Sequence, residues 1–444
     1  GIMKFRLFVF YIIYTGILFL CFPIVIGYFI LRSRNDPRYR KNFAERFGFG
    51  QSIADCILIH TASIGEFRGA FPFIQQLLNR KERLVISCLT PVARSYAYEK
   101  LCHEIEIGSV VVRYLPLEYF TAFHNFFSRS KPKLVLICEL ETWPIFIASC
   151  YQRKIPIYLI NSQITKEAMR RVSFITKLFG HPLELVSGVA AKSSEHAANF
   201  NLMGQQNVRP VGEFRFDQPI PESHTRSGES ALSLVNPKKR PIVGFSSVIF
   251  GEADIYINSM KSLKLFSEEK GLLKPMYVFV PRAPEAFDDL FQKIEDSGLS
   301  VIRRTQGFSG DLQPSLSTDW NNIDVILGDS FGEMYFYLKL CGQVVAGGGF
   351  WHTGAHNIIE QLQLHKDVIV GPEIWTIKFP AYQAQKAGLL TVVKDPSELT
   401  RNLRLFLERN DTNKIVREKF DEFLNDYAGA SNKTVAMLEN EGVI

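Results

Sequence analysis

The chain has 444 residues, 46% hydrophobic and 22% charged, a balance ordinary for packed globular protein and long enough for two or three domains. Lys and Arg total 51 against 45 Asp and Glu, a net charge of +6, which suits an anionic substrate or a membrane surface and is too weak to predict a nucleic-acid partner. Seven cysteines with no C-x-x-C pair signal neither a zinc site nor a thioredoxin-type motif; they read as free thiols in a reducing compartment.

In chain order, the first element is an apolar run. From Leu7 to Leu31 there is no charged side chain, and a helix of that length exceeds the roughly 30 Å hydrocarbon core of a bilayer. Residues 4–31 are therefore predicted as an N-terminal transmembrane anchor, although Pro23 and Gly27 also fit a helix that only dips into the membrane. Lys4 and Arg6 precede the run; Arg32, Arg34, Arg38, Arg40, Lys41 and Arg46 follow it. The heavier basic flank predicts that everything after the anchor is cytoplasmic.

Residues 32–217 then read as alternating short apolar strands and helices. CILIH (56–60), RLVISCL (83–89), VVVRYLP (110–116), KLVLICE (133–139), IPIYLIN (155–161) and GVAAKS (188–193) are the strands. Continuous apolar strands with helices between them predict a parallel sheet covered on both faces. Residues 218–240 are rich in Pro and Ser and show no apolar period, so they are predicted as a linker. The alternation restarts over 241–420 with PIVGFSS, MYVFVPR, VIRRT, DVILGD, GQVVAGG, KDVIVGP and LLTVVKD. A polar–apolar tail follows, and 421–444 is predicted as a C-terminal helix packing back on the first domain. The fold class is α/β: two doubly wound, Rossmann-like domains, predicted to face each other across a ligand cleft.

Three segments carry possible chemistry. HTASIGE (60–66) leaves a strand and opens a helix. Glu66 there is placed to take a proton from an attacking hydroxyl, while Ser63 and Glu66 also fit an S-x-x-E capping box, with Gly65 between them. CELETWP (138–144) ends a strand with Glu139 and Glu141, which alternate in direction: one is free to face a ligand and the other to pair with a cation, or both belong to a solvated turn. VVAGGGFWHTGAHNIIEQL (344–362) runs from strand through glycines to a helix expected near Ala355–His356. Gly348 and Gly349 would let backbone N–H groups reach a phosphate, His356 and Asn357 would donate to it, and Glu360 would accept from ribose. Tight strand–helix packing is the competing explanation of the glycines. Two further strand ends add Arg282 (VPRAPE) and Asp329, Gly332 and Glu333 (GDSFGEM) as nucleotide contacts. The spacing is not that of a dehydrogenase, and there is no P-loop, H-E-x-x-H or G-x-S-x-G motif.

Taken in order, NFAERFGFG (42–50), HTASIGE, ELETWP, GEFRFD (212–217), VPRAPE, GDSFGEM, GGGF (347–350) and GAHNIIE (354–360) resemble the Kdo transferases, the 3-deoxy-D-manno-octulosonic acid transferases of lipopolysaccharide synthesis. The resemblance spans nearly the whole chain. It implies a GT-B fold, a membrane-facing acceptor domain followed by a CMP-sugar-binding domain, and a place at the bacterial inner membrane with both domains cytoplasmic. It implies an inverting glycosyltransferase that moves Kdo from CMP-Kdo to the 6′-hydroxyl of a lipid A precursor, lipid IVA, once or in succession. The partners implied are CMP-Kdo, that lipid and the surrounding membrane lipids, with no nucleic acid, no cofactor and no metal. Glu66 falls on the family's general base, Glu139 and Glu141 on its second acidic motif. Arg282, Gly332, Glu333, His356, Asn357 and Glu360 fall on its nucleotide loop. The chain departs from the family at SVIFGE (247–252), where a Ser-Thr-His run is usual and only Ser247, Gly251 and Glu252 match. Two rivals are weighed against this: a soluble non-hydrolysing nucleotide-sugar epimerase of the same architecture, and a membrane-tethered binding protein without turnover.

Overall fold

The computed structural model describes residues 3–409 and 413–444. The chain divides into two units, Gly1–Gln218 with Asp426–Ile444, and Pro219–Asn425.

The first unit opens with α1 (Phe5–Asn35), the long apolar helix. Its sheet has seven parallel strands: β1 (Cys56–His60), β2 (Leu84–Cys88), β3 (Val110–Tyr114), β4 (Pro132–Cys138), β5 (Ile157–Ser162), β6 (Gly188–Ala191) and β7 (Val208–Pro210), in the order β3-β2-β1-β4-β5-β6-β7. Strands β1 to β6 are buried along nearly their whole length. That is why they read as unbroken apolar runs: helices cover both faces. One face packs Leu58, Val85, Val135 and Leu159 against Phe123, Phe146 and Phe200. The other packs Ile59, Ile86 and Leu136 against α2 (Ile64–Asn79) through Phe67, Phe73 and Leu77. The strand order reverses beside β1, and α2 leaves from its carboxyl end, so β1 and β4 deliver their end residues to the switch point where doubly wound sheets keep ligands. The Ala430–Asn440 helix lies in this unit, its Val435, Met437 and Leu438 in the α2 core.

The second unit repeats the plan with β8 (Ile242–Val248), β9 (Met276–Pro281), β10 (Val301–Arg303), β11 (Val325–Leu327), β12 (Gln343–Ala346), β13 (Val368–Val370) and β14 (Leu390–Val392), all parallel, in the order β10-β11-β9-β8-β12-β13-β14. Its switch point lies between β8 and β12, beside the glycine loop.

Three expectations change. The segment 218–240 is not an open linker: Glu222–Val235 is a helix that buries Gly228, Ala231 and Val235. Its buried residues are small; a Cβ on Gly228 would lie 2.7 Å from Lys339 Cβ, so close packing replaced the apolar period that would have announced it. The three-residue β7 went unread because its residues are half-exposed or exposed and carry no apolar pattern. The tail is several helices, among them Pro396–Glu408 and Asn413–Tyr427; residues 410–412 of that stretch lie outside the described residues.

Candidate functional site

In the first unit, Ser63 caps α2, its Oγ accepting from the Glu66 N–H (3.3 Å). The Glu66 carboxylate turns back past the cap and accepts from the Ala62 N–H. The capping box is thus loosely made: the close return bond comes from Ala62, and the Ser63 N–H adds only a weaker one. Ser63 and Gly65 are exposed and Glu66 is half-buried. Burial pushes the Glu66 carboxyl up to about 7, and the negative charges of Glu139 and Glu141 add to the rise against the Ala62 N–H. Three carboxylates therefore share one field, and the one on α2 is poised near neutrality.

Glu139 is the paired member of that set. It follows β4 with φ +60°, and Asn161, at the end of β5, has φ +49°; each such left-handed residue costs roughly 1–3 kcal/mol. A buried network holds both. Lys192, 2% exposed just beyond β6, sits 2.8 Å from Glu139 and 3.1 Å from Glu213. Asn161 donates to the Glu139 carboxylate (3.1 Å) and accepts from the Phe214 N–H (2.9 Å), and Arg215 closes on Glu213. Burial raises the Glu139 carboxyl against the pull of Lys192. Burial also opposes charge on Glu213, but Lys192 and Arg215 hold it below the usual range. Glu141 is half-buried, and burial raises it. His60, at the end of β1, is fully buried, hydrogen-bonded to Ser87 Oγ (2.9 Å), and driven down to about 3 by burial; it is a neutral core side chain.

In the second unit the glycine loop is built differently from the expectation. Glu252, wholly buried, accepts from the N–H groups of Gly348 and Phe350 (3.1 Å for the latter) and of Ile249 (3.4 Å). Of the amides expected to cradle a phosphate, that of Gly348 is taken by this carboxylate, together with that of Phe350. The glycines serve close packing: a Cβ on Gly347 would lie 2.3 Å from the Ser247 carbonyl oxygen, and one on Gly348, at φ +87°, 2.4 Å from that of Gly354. No helix starts at Ala355–His356. The Ala355 and His356 N–H groups bond the carbonyls of Glu373 and Gly347, and only the short helix Ile359–Gln363 follows, its start capped by Asn357 (2.9 Å to the Ile359 N–H). The helix-dipole argument for this loop lapses with it.

Asp329 and Glu333 also have protein partners. Asp329 accepts from the Thr305 N–H (3.0 Å) and hydroxyl (2.6 Å). Glu333 makes a two-pronged pair with Arg304 (2.8 and 3.1 Å). Gly332 has φ +70° and open space where a Cβ would stand. Arg282 is exposed just beyond β9. Glu360 is half-buried, its carboxyl raised by burial, and among the described residues it has no side-chain hydrogen-bond partner. Ser247 ends β8 at φ +52°, next to Ser246, which accepts from Gln361 (2.9 Å).

The sequence reading passed over Lys192 and Asn161. Glu213 lay inside GEFRFD and Glu252 inside SVIFGE without being given a role. The signal was an acidic residue in a short motif, but nothing local tells which cation or amide it will meet.

The family model described as "3-Deoxy-D-manno-octulosonic-acid transferase (kdotransferase)" matches residues 41–218. A Bordetella pertussis 3-deoxy-D-manno-octulosonic acid transferase is 26% identical over 87% of this chain and 88% of its own length. One from Haemophilus influenzae is 27% identical over 96% and 97%. Among solved structures, the UDP-GlcNAc 2-epimerase of Neisseria meningitidis aligns with a TM-score of 0.52 at 13% identity, covering 87% of this chain and all of that one. The S. aureus MnaA–UDP structure gives 0.51 at 12%, covering 88% and 98%. At such identities the structural likeness speaks for the fold alone: two Rossmann-like units of the GT-B type.

Proposed function

We propose that this chain, which belongs to the 3-deoxy-D-manno-octulosonic acid (Kdo) transferase family, moves Kdo from CMP-Kdo to the 6′-hydroxyl of a lipid A precursor, lipid IVA, with inversion at the anomeric carbon. Glu66 takes the proton of the acceptor hydroxyl. The oxygen forms its bond to the anomeric carbon as the bond from that carbon to the CMP phosphate breaks, and CMP leaves with the electron pair. One displacement of this kind inverts the centre. The first unit holds the acceptor and its base; the second holds the donor.

The observation that carries this reading is the state of Glu66: a carboxyl in the first turn of α2, just past β1, pushed up to about 7 by burial and two neighbouring carboxylates. A base works best with a pKa near the operating pH, and Glu66 keeps acceptor capacity that Glu139, tied to Lys192 and Asn161, does not. Donor contacts are assigned by what remains unengaged. Arg282 meets the CMP phosphate, Glu360 accepts from a ribose hydroxyl, and the open backbone at Gly332 lies against the nucleotide. Asp329, Glu333 and the Gly348 amide shape the loops behind them. No cofactor or metal is invoked, since a single phosphate leaves. The lipid acceptor and the apolar α1 both fit work at the cytoplasmic face of the bacterial inner membrane.

Incubating the enzyme with CMP-Kdo and lipid IVA, with mass spectrometry of the lipid, tests the reaction, each added sugar giving a fixed mass step. Glu66→Gln is expected to abolish product while CMP-Kdo binding by calorimetry stays near native. Near-native turnover of that variant would remove the base. Turnover of a soluble UDP-sugar, with none on lipid, would favour an epimerase instead.

A further inference from the structure

α1 is about 46 Å long at 1.5 Å per residue, ample to cross a bilayer core. Yet it is fastened to the first unit nearly end to end. Arg6 donates to the Lys177 carbonyl (3.2 Å). Tyr11 donates to the Pro144 carbonyl (2.8 Å), and Tyr14 to the Glu118 carboxylate (2.9 Å). The Leu18 carbonyl accepts from the Tyr119 hydroxyl (2.7 Å). Phe22 packs edge-on to Tyr119 and Phe29 to Phe43, with the Arg46 guanidinium over the Phe29 ring. Positions 7, 11, 14, 18, 22 and 29 recur at helical steps and form one face. Away from it, Phe8, Ile12, Phe19, Ile24 and Leu31 stand exposed.

A helix that crosses must run through hydrocarbon where folded, polar protein cannot follow. The contacts from Arg6 to Phe29 cover about 35 Å of α1, more than the ~30 Å core. If α1 crossed, Glu118, Arg46 and the loops around them would have to lie inside the bilayer. Its apolar character on all sides has a simpler cause: one face packs on protein, and the other stands exposed among the described residues. Beside it, the Lys166–Phe179 helix touches α1 through Phe179 and Phe10. It turns Ala168, Met169 and Val172 to the core and leaves Phe174, Ile175 and Leu178 exposed, 76% for Phe174, among the cations Lys166, Arg170, Arg171 and Lys177. Lys4 and Arg6 flank one end of α1, Arg32 and Arg34 the other.

We propose that α1 does not cross the membrane. It lies in the plane of one leaflet, docked along the first unit. Its outward face, extended by Phe174, Ile175 and Leu178, enters the acyl region, and the flanking cations meet anionic headgroups. The protein is anchored from one side, with both ends of α1 on the side of the two units.

The test is topological and needs neither donor nor acceptor, so its outcome is separate from that of the transfer assay. The full chain carries Lys4→Cys with Cys102→Ser, which removes the exposed native thiol; a second sample retains Cys102 alone as the marker for the units. Both react with a membrane-impermeant maleimide in detergent, which shows that the thiols are competent. In membranes, position 4 is expected to label in inverted vesicles and to be lost from labelling in intact spheroplasts, as Cys102 does. Labelling of position 4 in spheroplasts, with Cys102 protected, would overturn the proposal. Flotation of the full chain with phosphatidylethanolamine–phosphatidylglycerol vesicles tests the second helix: Phe174→Ser with Leu178→Ser is expected to reduce the floated fraction, and an unchanged fraction would confine the docking face to α1.

Discussion

Glu66 and Glu252 are two glutamates in the same topological place, one in each unit. Both follow the carboxyl end of a strand at a switch point, beside a helix start, and burial raises both carboxyls. They differ in what they touch. Glu252 has no exposed surface and three backbone N–H partners, two of them from the glycine loop. Glu66 has a close one from Ala62 and a weaker one from Ser63, is only half-buried, and faces the charges of two other glutamates. The first is a strut, its acceptor capacity spent on the fold. The second keeps capacity for a substrate and a pKa that responds to its neighbours. Residue type and position do not separate the two; the count of satisfied donors does.

The largest expected effect breaks the comparison on the Glu66 side. Glu66→Gln should lower kcat by roughly 10²–10⁴-fold, read in the transfer assay. It should not lower stability. The folded pKa of about 7 lies above the ordinary 4.5, so the wild type is favoured when this group is protonated and loses that stability as the pH rises through about 7. The melting temperature of Glu66→Gln should therefore match or exceed the wild type above that pH; a lower one would make Glu66 a strut like Glu252.

Lys192→Met comes next. It leaves Glu139 and Glu213 buried without their shared cation, which costs about 3–5 kcal/mol in denaturant unfolding. Glu252→Ala is expected to cost about 3 kcal/mol, since it strands three N–H donors, two of them in the glycine loop. It should also weaken CMP-Kdo binding, because the glycine loop that leads from β12 toward Glu360, a proposed donor contact, loosens. Stability lost with binding intact would mean the loop has no part in the donor site.

The smallest effect sharpens the other side. As the proposed base, Glu66 would act only when ionised, so kcat/KM is expected to fall as the pH drops below about 7. Glu141→Gln removes one of the charges raising it, and the acid limb should move to lower pH by a fraction of a unit; an unmoved limb would assign it to another group.

The strands were legible because a sheet covered on both faces needs continuous apolar runs, and KLVLICE or PIVGFSS cannot serve elsewhere. Elements that bury little were not: β7 is a partly exposed edge, and the Glu222–Val235 helix packs through Gly228 and Ala231, whose small side chains leave no periodic mark. At the site, the place of Glu66 could be read because a carboxylate just past a strand end is a local feature. The partner of Glu139 could not. Lys192 lies 53 positions away, just past another strand, and Glu213 on a loop beyond that. The glycine loop misled for the same reason: glycines announce close backbone approach, while whether a phosphate or the Glu252 carboxylate, 96 residues upstream of Gly348, takes the amides depends on how β8 and β12 pair.

By itself, then, the order of residues determined the α/β architecture, the apolar first helix and the strand end where a base would stand, because each rests on neighbours close in sequence. Which carboxylates are struts, which remains able to take a proton, and along what surface α1 lies were decided only in three dimensions. Hydrogen-bond satisfaction and desolvation are set by groups that the chain brings together from far apart.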